Sequence, residues 1–154
     1  MGRAAGLRGW TLCGWMLAAG AIAGCDGPEG MDPDAGQPTA FDEQVARGAS
    51  LFGMHCAHCH GADGRGGINE APPLVGLDEG ALPLEPRPGA VRDTRFVTVG
   101  DIAAFAAVNM PADAPGTLEV DEYYAVLAFA LFANGIELEE ELTPALAEEL
   151  VIPR

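Results

Sequence analysis

Residues 55–60 read His55-Cys56-Ala57-His58-Cys59-His60. Two cysteines three positions apart lie on one helical turn, so both thiols can reach the same edge of a planar group. The imidazole that follows can then point a nitrogen at a metal in the centre of that group. This C-x-x-C-H spacing is typical of covalent haem attachment. It predicts that Cys56 and Cys59 bind one haem c through thioethers and that His60 is the proximal iron ligand.

Two other uses of cysteine and histidine are disfavoured. A structural zinc site needs four ligands in a tetrahedron, but all three histidines fall within residues 55–60 and no second ligand pair occurs elsewhere. A thioredoxin-like redox pair is disfavoured because no βαβ pattern surrounds the motif and His60 would have no function there. Haem attachment is the interpretation that uses every residue of the motif.

A second axial ligand can be sought by elimination. The chain has no lysine, and His55 and His58 are too close to the motif to reach the far face of a haem. Of the five methionines, two precede residue 25, one lies within 25–40, and Met54 abuts the motif. Met110 remains as the predicted sixth ligand, although a lone methionine is more often a core filler. A thioether ligand raises the reduction potential and fills the site that oxygen would need.

A metal-bound histidine is usually oriented by a hydrogen bond from its other ring nitrogen. Residues 71–76 read Ala71-Pro72-Pro73-Leu74-Val75-Gly76. Pro72 is a candidate acceptor, because proline has a carbonyl but no N–H and its backbone is restricted. The same residues are also consistent with a plain loop that contains turn prolines.

The N-terminus has the residue order of a secretory signal. Two arginines precede an apolar run over residues 10–23, and residues 1–24 contain no acid. The run is short for a transmembrane helix, which needs about 20 apolar residues. It ends in Ile22-Ala23-Gly24-Cys25, which resembles the bacterial lipobox and implies a lipoprotein signal peptide over 1–24 with lipid on Cys25. An ordinary signal with an unrelated cysteine and an uncleaved anchor are the alternatives.

Residues 25–40 combine glycine, proline and acids without apolar periodicity, which predicts a flexible tether. The folded domain is then expected over 41–154. A lipid on Cys25 would hold this domain on the periplasmic side of a bacterial membrane.

Composition limits what the domain can be. The 154 residues are 49% hydrophobic, which is enough for one packed core. The formal net charge is -15 and no lysine is present, so the chain is repelled by phosphate backbones and nucleic-acid binding is not expected. The 21 glycines and 12 prolines indicate substantial loop content.

Hydrophobic spacing predicts an all-α domain. Phe41, Val45, Ala49 and Phe52 recur on one helical face, and either Thr39 or Asp42 is expected to cap that helix. The stretch 61–100, rich in glycine and proline, is expected to surround the haem largely as loops.

Three further helices are predicted. Residues 101–108 have one apolar side, with Asp101 as cap. Residues 119–134 are the strongest predicted helix, with Asn134-Gly135 as the expected C-cap. Tyr123 through Ala133 is apolar on every side, which implies burial against both the haem and the first helix. Thr143-Pro144 is expected to start a short terminal helix.

The order of these features resembles the class I c-type cytochromes over about residues 41–135. The positions that carry the resemblance are Gly48, Phe52, Cys56, Cys59, His60, Gly61, Pro72, Leu74, Gly76, Met110, Pro111, Leu127 and Phe129. The resemblance implies helices packed around one covalently bound haem, a Pro72 carbonyl that accepts from His60, and a crossing of the first and last helices at Gly48. Ala71 is a departure, because glycine is usual before that proline.

A narrower similarity, over residues 96–154, is to the haem subunits of bacterial sulfite and sulfur dehydrogenases. It lies in the stretches 110–118, 121–125 and 134–136. It implies a dehydrogenase among the redox partners.

The sequence thus predicts a periplasmic, lipid-anchored monohaem cytochrome c that transfers single electrons. Its partners would be a donor dehydrogenase and an oxidase or another cytochrome as acceptor, and no catalytic residues are assigned to the chain itself. Its acidic surface is expected to favour a partner with a basic face. The alternatives are a tightly bound haem subunit of a sulfite-type or quinoprotein dehydrogenase, and a haem-based sensor with a labile sixth ligand.

Overall fold

Two helices, α1 (Ala40–His55) and α4 (Val120–Ala133), pack against each other and form the frame of the domain. The computed structural model describes residues 37–66, 71–82, 84–86, 88–89 and 92–153. The predicted signal peptide, Cys25 and residues 26–36 of the predicted tether lie outside these ranges. Within the described ranges, every helix is too short or too polar to cross a bilayer.

The start of α1 is fixed by a reciprocal pair of side chains. The Thr39 hydroxyl accepts the N–H of Asp42 at 3.1 Å, and the Asp42 carboxylate accepts the N–H of Thr39 at 2.8 Å. The two residues predicted as alternative caps therefore form one capping box. Thr39 and Ala40, the last residues of the predicted tether, belong to this helix start.

The two frame helices approach closely at Gly48. A Cβ atom at that position would lie 1.8 Å from the carbonyl oxygen of Ala125. One turn further along, the rings of Phe52 and Phe129 lie 5.1 Å apart between their centroids. The helix crossing that the family resemblance implied at Gly48 is present.

The third long helix, α3 (Val99–Asn109), follows the loop region, and its start corrects one prediction. Thr98, not Asp101, is the N-cap residue. The Asp101 carboxylate instead accepts the N–H groups of Thr98 and Val97, at 2.9 and 2.7 Å. The prediction placed the helix start at the acid, whereas a threonine three positions earlier completes the capping box and extends the helix towards the N-terminus.

The end of α4 confirms the predicted C-cap. Gly135 has a positive φ of 77°, which lets the chain reverse direction. Its N–H donates to the carbonyl of Phe132 at 2.8 Å, and the N–H of Ile136 donates to that of Leu131 at 3.0 Å. These two bonds form a Schellman motif.

The chain after α4 folds back over the frame. The predicted terminal helix α5 (Pro144–Glu149) is present, with the Thr143 hydroxyl as its N-cap. The Gln44 side chain joins this segment to α1, because its amide accepts the N–H of Leu142 at 2.8 Å and donates to the Leu142 carbonyl at 3.0 Å. The buried core cluster consists of Phe41, Phe96, Val99, Ala103, Leu127, Ala128, Leu131, Leu142, Ala147 and Ile152.

The all-α prediction is confirmed. In the described part of the chain, extended pairing is limited to one isolated antiparallel bridge between Thr98 and Val151. The described parts of 61–98 are loops, apart from a short 3-10 turn, Leu77–Glu79.

Candidate haem site

The cysteine–histidine motif continues directly from α1 as a single turn, α2 (Ala57–His60). The N–H of Cys56 donates to Phe52 and that of His60 donates to Cys56, both at 2.9 Å. Both cysteines are free thiols and half-buried. The end of α1 and the single turn α2 therefore carry the two thiols and the imidazole.

The environment of Cys56 differs from that of a redox-active dithiol. Burial raises the pKa of the Cys56 thiol to about 11, and repulsion from the charge on Cys59 adds to the effect. Thioredoxin-like pairs instead have a thiol pKa of about 7 or lower. Among the described residues, no three histidine, cysteine or acidic side chains are grouped so as to hold a metal ion.

His60 is buried and its ring has a defined orientation. The ring Nδ1 lies 2.8 Å from the carbonyl oxygen of Pro72. Because a carbonyl can only accept, Nδ1 donates to it, and in the neutral ring Nε2 then keeps its lone pair. No group in the described ranges hydrogen-bonds Nε2, and this atom is the accessible part of a ring that is otherwise buried, since no buried side-chain nitrogen there lacks a partner. This arrangement is the one that an axial imidazole ligand requires.

The loop that carries Pro72 is tied to the turn after the motif. The N–H groups of Leu74 and Val75 donate to the carbonyl of Gly64, at 2.7 and 3.1 Å. The N–H of Leu82 donates to Pro73 at 2.7 Å. These bonds keep the Pro72 carbonyl beside His60 through the backbone.

Asn134 holds the same loop from the other side, and sequence reasoning missed this role. Its Oδ1 accepts the N–H groups of Gly76 and Leu77, at 2.8 and 3.2 Å. Its Nδ2 donates to the carbonyls of Leu74 and Ala130, at 2.9 and 2.7 Å. The sequence signal, an asparagine before a glycine, indicated only a helix end.

Met110 lies where α3 ends. It is the C-cap residue, in an extended conformation, and the peptide bond to Pro111 is cis. Its N–H donates to Ala106 at 2.8 Å, and its carbonyl accepts the hydroxyl of Tyr123 at 2.6 Å. Met110 is partly buried, whereas Met54, the other methionine in the described ranges, is 66% exposed.

One contact shows that the turn after Met110 lies beside the cysteine–histidine motif. The Oδ2 of Asp113 is 3.9 Å from the Nε2 of His58. Both side chains are largely exposed, so the pair adds little stability. It nevertheless places two segments that are distant in sequence next to each other.

The side chains present fit a covalently bound haem c. Two unpaired thiols, an imidazole with a free Nε2 and a thioether are the groups that such a haem uses. The described residues supply all four, with Cys56 between α1 and α2, Cys59 and His60 in α2, and Met110 at the end of α3.

Two comparisons show which known proteins this chain resembles. The family described as cytochrome C oxidase, cbb3-type, subunit III matches residues 43–129, more than half of the chain. A chain in the crystal structure of the sulfane dehydrogenase SoxCD from Paracoccus pantotrophus is 28% identical, with a TM-score of 0.54. That similarity covers 89% of this chain and 68% of the other. None of the curated protein sequences matches this chain.

Proposed function

This chain belongs to the class I c-type cytochromes, electron-transfer proteins with covalently bound haem, and we propose that it is a membrane-tethered carrier with one haem ligated by His60 and Met110. The main support is the buried His60 ring, whose Nδ1 contacts the Pro72 carbonyl at 2.8 Å and whose Nε2 is left free. Among the described residues no buried side-chain nitrogen lacks a partner, so the unpartnered Nε2 is an accessible atom that a metal ion could reach.

The haem, when bound, supplies the chemistry, because its iron accepts and releases one electron. Cys56 and Cys59 hold the group covalently, which prevents its loss from a small domain. His60 keeps its donor nitrogen in one orientation through Pro72. Met110 offers a neutral, soft sulfur, which favours the reduced state and raises the reduction potential.

Haem attachment is tested by expressing the chain in a host that matures c-type cytochromes. Wild-type protein is expected to gain the mass of one haem and to give the pyridine haemochrome spectrum of two thioethers. Cys56→Ala and Cys59→Ala are each expected to give a one-thioether spectrum or no haem. Colourless wild-type protein of bare polypeptide mass would contradict the proposal.

Axial ligation by Met110 has a matched control in Met54, which is exposed. Met110→Ala is expected to abolish the far-red absorption band of methionine-ligated ferric haem and to lower the reduction potential. Met54→Ala is expected to leave both unchanged. A Met110→Ala spectrum identical to that of the wild type would remove this ligand and favour the sensor alternative.

Membrane tethering is proposed from the lipobox-like residues that end in Cys25. Cys25→Ala is expected to release the haem protein from the membrane fraction into the periplasmic fraction while haem content stays the same. Wild-type protein recovered entirely in the soluble fraction would contradict the anchor and leave the haem assignment intact.

The acidic surface points to a partner with a basic face. A net charge of -15 would attract such a partner over a distance set by the Debye length, about 10 Å at 0.1 M salt. We expect the rate of electron transfer with the natural partner to fall as ionic strength rises. A rate that does not depend on salt would contradict electrostatic steering.

The similarity to a chain of the sulfane dehydrogenase SoxCD structure supports a second function, that of a haem subunit docked permanently to a dehydrogenase. Purification from the native membrane distinguishes the two. A free carrier is expected to purify alone. A dehydrogenase subunit is expected to purify together with the dehydrogenase at a fixed stoichiometry.

A further inference from the structure

We propose that Tyr123 is a positioning residue that holds the Met110 sulfur at the haem iron. The inference rests on the proposed ligation by Met110 and gives Tyr123 a role that the sequence analysis did not assign to it.

The hydroxyl of Tyr123 has one clear partner. Tyr123 lies in the first turn of α4 and is 6% exposed. Its hydroxyl donates to the carbonyl oxygen of Met110 at 2.6 Å, within the normal range for an O–H···O bond. A buried tyrosine hydroxyl needs an acceptor, and here the acceptor is the backbone of the proposed iron ligand.

The bond completes the restraint of the Met110 backbone. The carbonyls at the end of a helix lack partners within the helix. In α3, the N–H of Met110 is held by Ala106, and its carbonyl is held by Tyr123 from a different helix. Because both backbone groups are bound, the Met110 side chain starts from a fixed position, and only its own rotamers decide where the sulfur lies.

The same bond connects Met110 to the elements that carry the other haem-binding residues. Tyr123 belongs to α4, which contacts α1 at Gly48 and Ala125. The cysteine–histidine motif follows α1 without a break. Tyr123 therefore relates the end of α3 to the frame that carries His60. Without its hydroxyl, the end of α3 would lose this link to that frame and be held by packing alone.

The test is Tyr123→Phe, which removes one oxygen and keeps the ring, compared with Tyr124→Phe, which removes a hydroxyl from the neighbouring, half-buried residue of the same helix. The measurement is the affinity of the ferric protein for added imidazole, which competes with methionine for the sixth position. The far-red band of methionine ligation is followed in parallel. Haem content and helical circular dichroism are matched before comparison.

We expect Tyr123→Phe to raise the imidazole affinity about fivefold, the equivalent of one hydrogen bond, and Tyr124→Phe to leave it unchanged. Equal imidazole affinity in wild type and Tyr123→Phe, with the far-red band present in both, would overturn the inference alone. A wild-type protein without that band would overturn ligation by Met110, and this inference with it.

Discussion

The backbone of Gly48 lies so close to the carbonyl of Ala125 that no side chain fits between them. This contact sets the distance between α1 and α4. The haem attachment motif follows the end of α1. Helix α4 provides the hydroxyl of Tyr123, and Asn134 at its C-terminal end binds the loop that carries Pro72. The separation of these two helices therefore determines how the loops on both sides of the site are placed.

Substitution of this glycine tests that contact. Gly48→Ala would place a methyl group 1.8 Å from the Ala125 oxygen, so the helices must separate. Overpacking typically costs about 1–3 kcal/mol, and we expect the upper end or beyond because the obstacle is backbone. Gly53→Ala is the control, since it lies in the same helix with nothing within 4 Å of the added carbon. It is expected to stabilise the protein by up to about 1 kcal/mol. Urea unfolding of the two variants measures the difference, and similar effects would contradict the close contact.

Replacement of Asn134 should loosen the loop that carries Pro72. Asn134→Ala removes four hydrogen bonds and is expected to lower the free energy of unfolding by about 2–4 kcal/mol. Asn134→Asp keeps an acceptor for Gly76 and Leu77 but loses both donors, so an intermediate loss is expected. Urea unfolding followed by far-ultraviolet circular dichroism measures both. If Asn134→Ala lowers the free energy of unfolding no more than Asn134→Asp does, the hydrogen bonds from the N–H groups of Gly76 and Leu77 contribute nothing to stability.

The segment after α4 depends on one buried amide. Gln44→Met keeps the approximate volume but leaves the N–H and carbonyl of Leu142 without their partners. Two unsatisfied buried groups should cost about 2–4 kcal/mol in unfolding free energy. Glu43→Met, an exposed neighbour, should change it by less than about 0.5 kcal/mol. Hydrogen exchange at the Leu142 amide is expected to accelerate only in the first variant, and unchanged protection there would be the contrary result.

The cap of α3 predicts a dependence of stability on acid. Hydrogen bonds from the N–H groups of Thr98 and Val97 lower the pKa of Asp101 below its usual value of 3.8. The carboxylate therefore stabilises the folded state fully above that value, and the contribution disappears as the pH falls through the lower folded pKa. We expect Asp101→Asn to flatten the decline in unfolding free energy between about pH 5 and pH 2. Asp93→Asn, in an exposed loop position, is the control, and a decline that is equally steep in all three proteins would disprove the assignment.

The helices were predictable because the signals that form them are local. Thr39 and Asp42, or Thr143 and Pro144, act on N–H groups within four residues of themselves. The error at α3 has the same origin, since Thr98 and Asp101 are both cap-forming residues and the pattern does not say which begins the helix. The choice depends on packing, because the buried Val99 extends the helix into the core.

The contact partners of the site residues were only partly predictable. The Pro72 carbonyl was a candidate from its chemistry and from the family resemblance, and a plain loop was the alternative that the sequence left open. The structure brings that carbonyl to 2.8 Å from His60. Nothing in the sequence indicated that Asn134 would hold this loop, that Gln44 would bind Leu142, or that Tyr123 would donate to Met110.

The sequence by itself determined the chemistry of this protein: the spacing of two thiols and an imidazole over 56–60 specifies the cofactor, because a covalent attachment site on one helical turn depends only on neighbouring residues. The family resemblance implied the Pro72 carbonyl as the partner of His60, but only the tertiary structure brought the two into contact and decided which hydroxyl binds the Met110 carbonyl. Those partners lie 12 and 13 residues away, on separate elements, and their distance depends on how closely α1 and α4 pack.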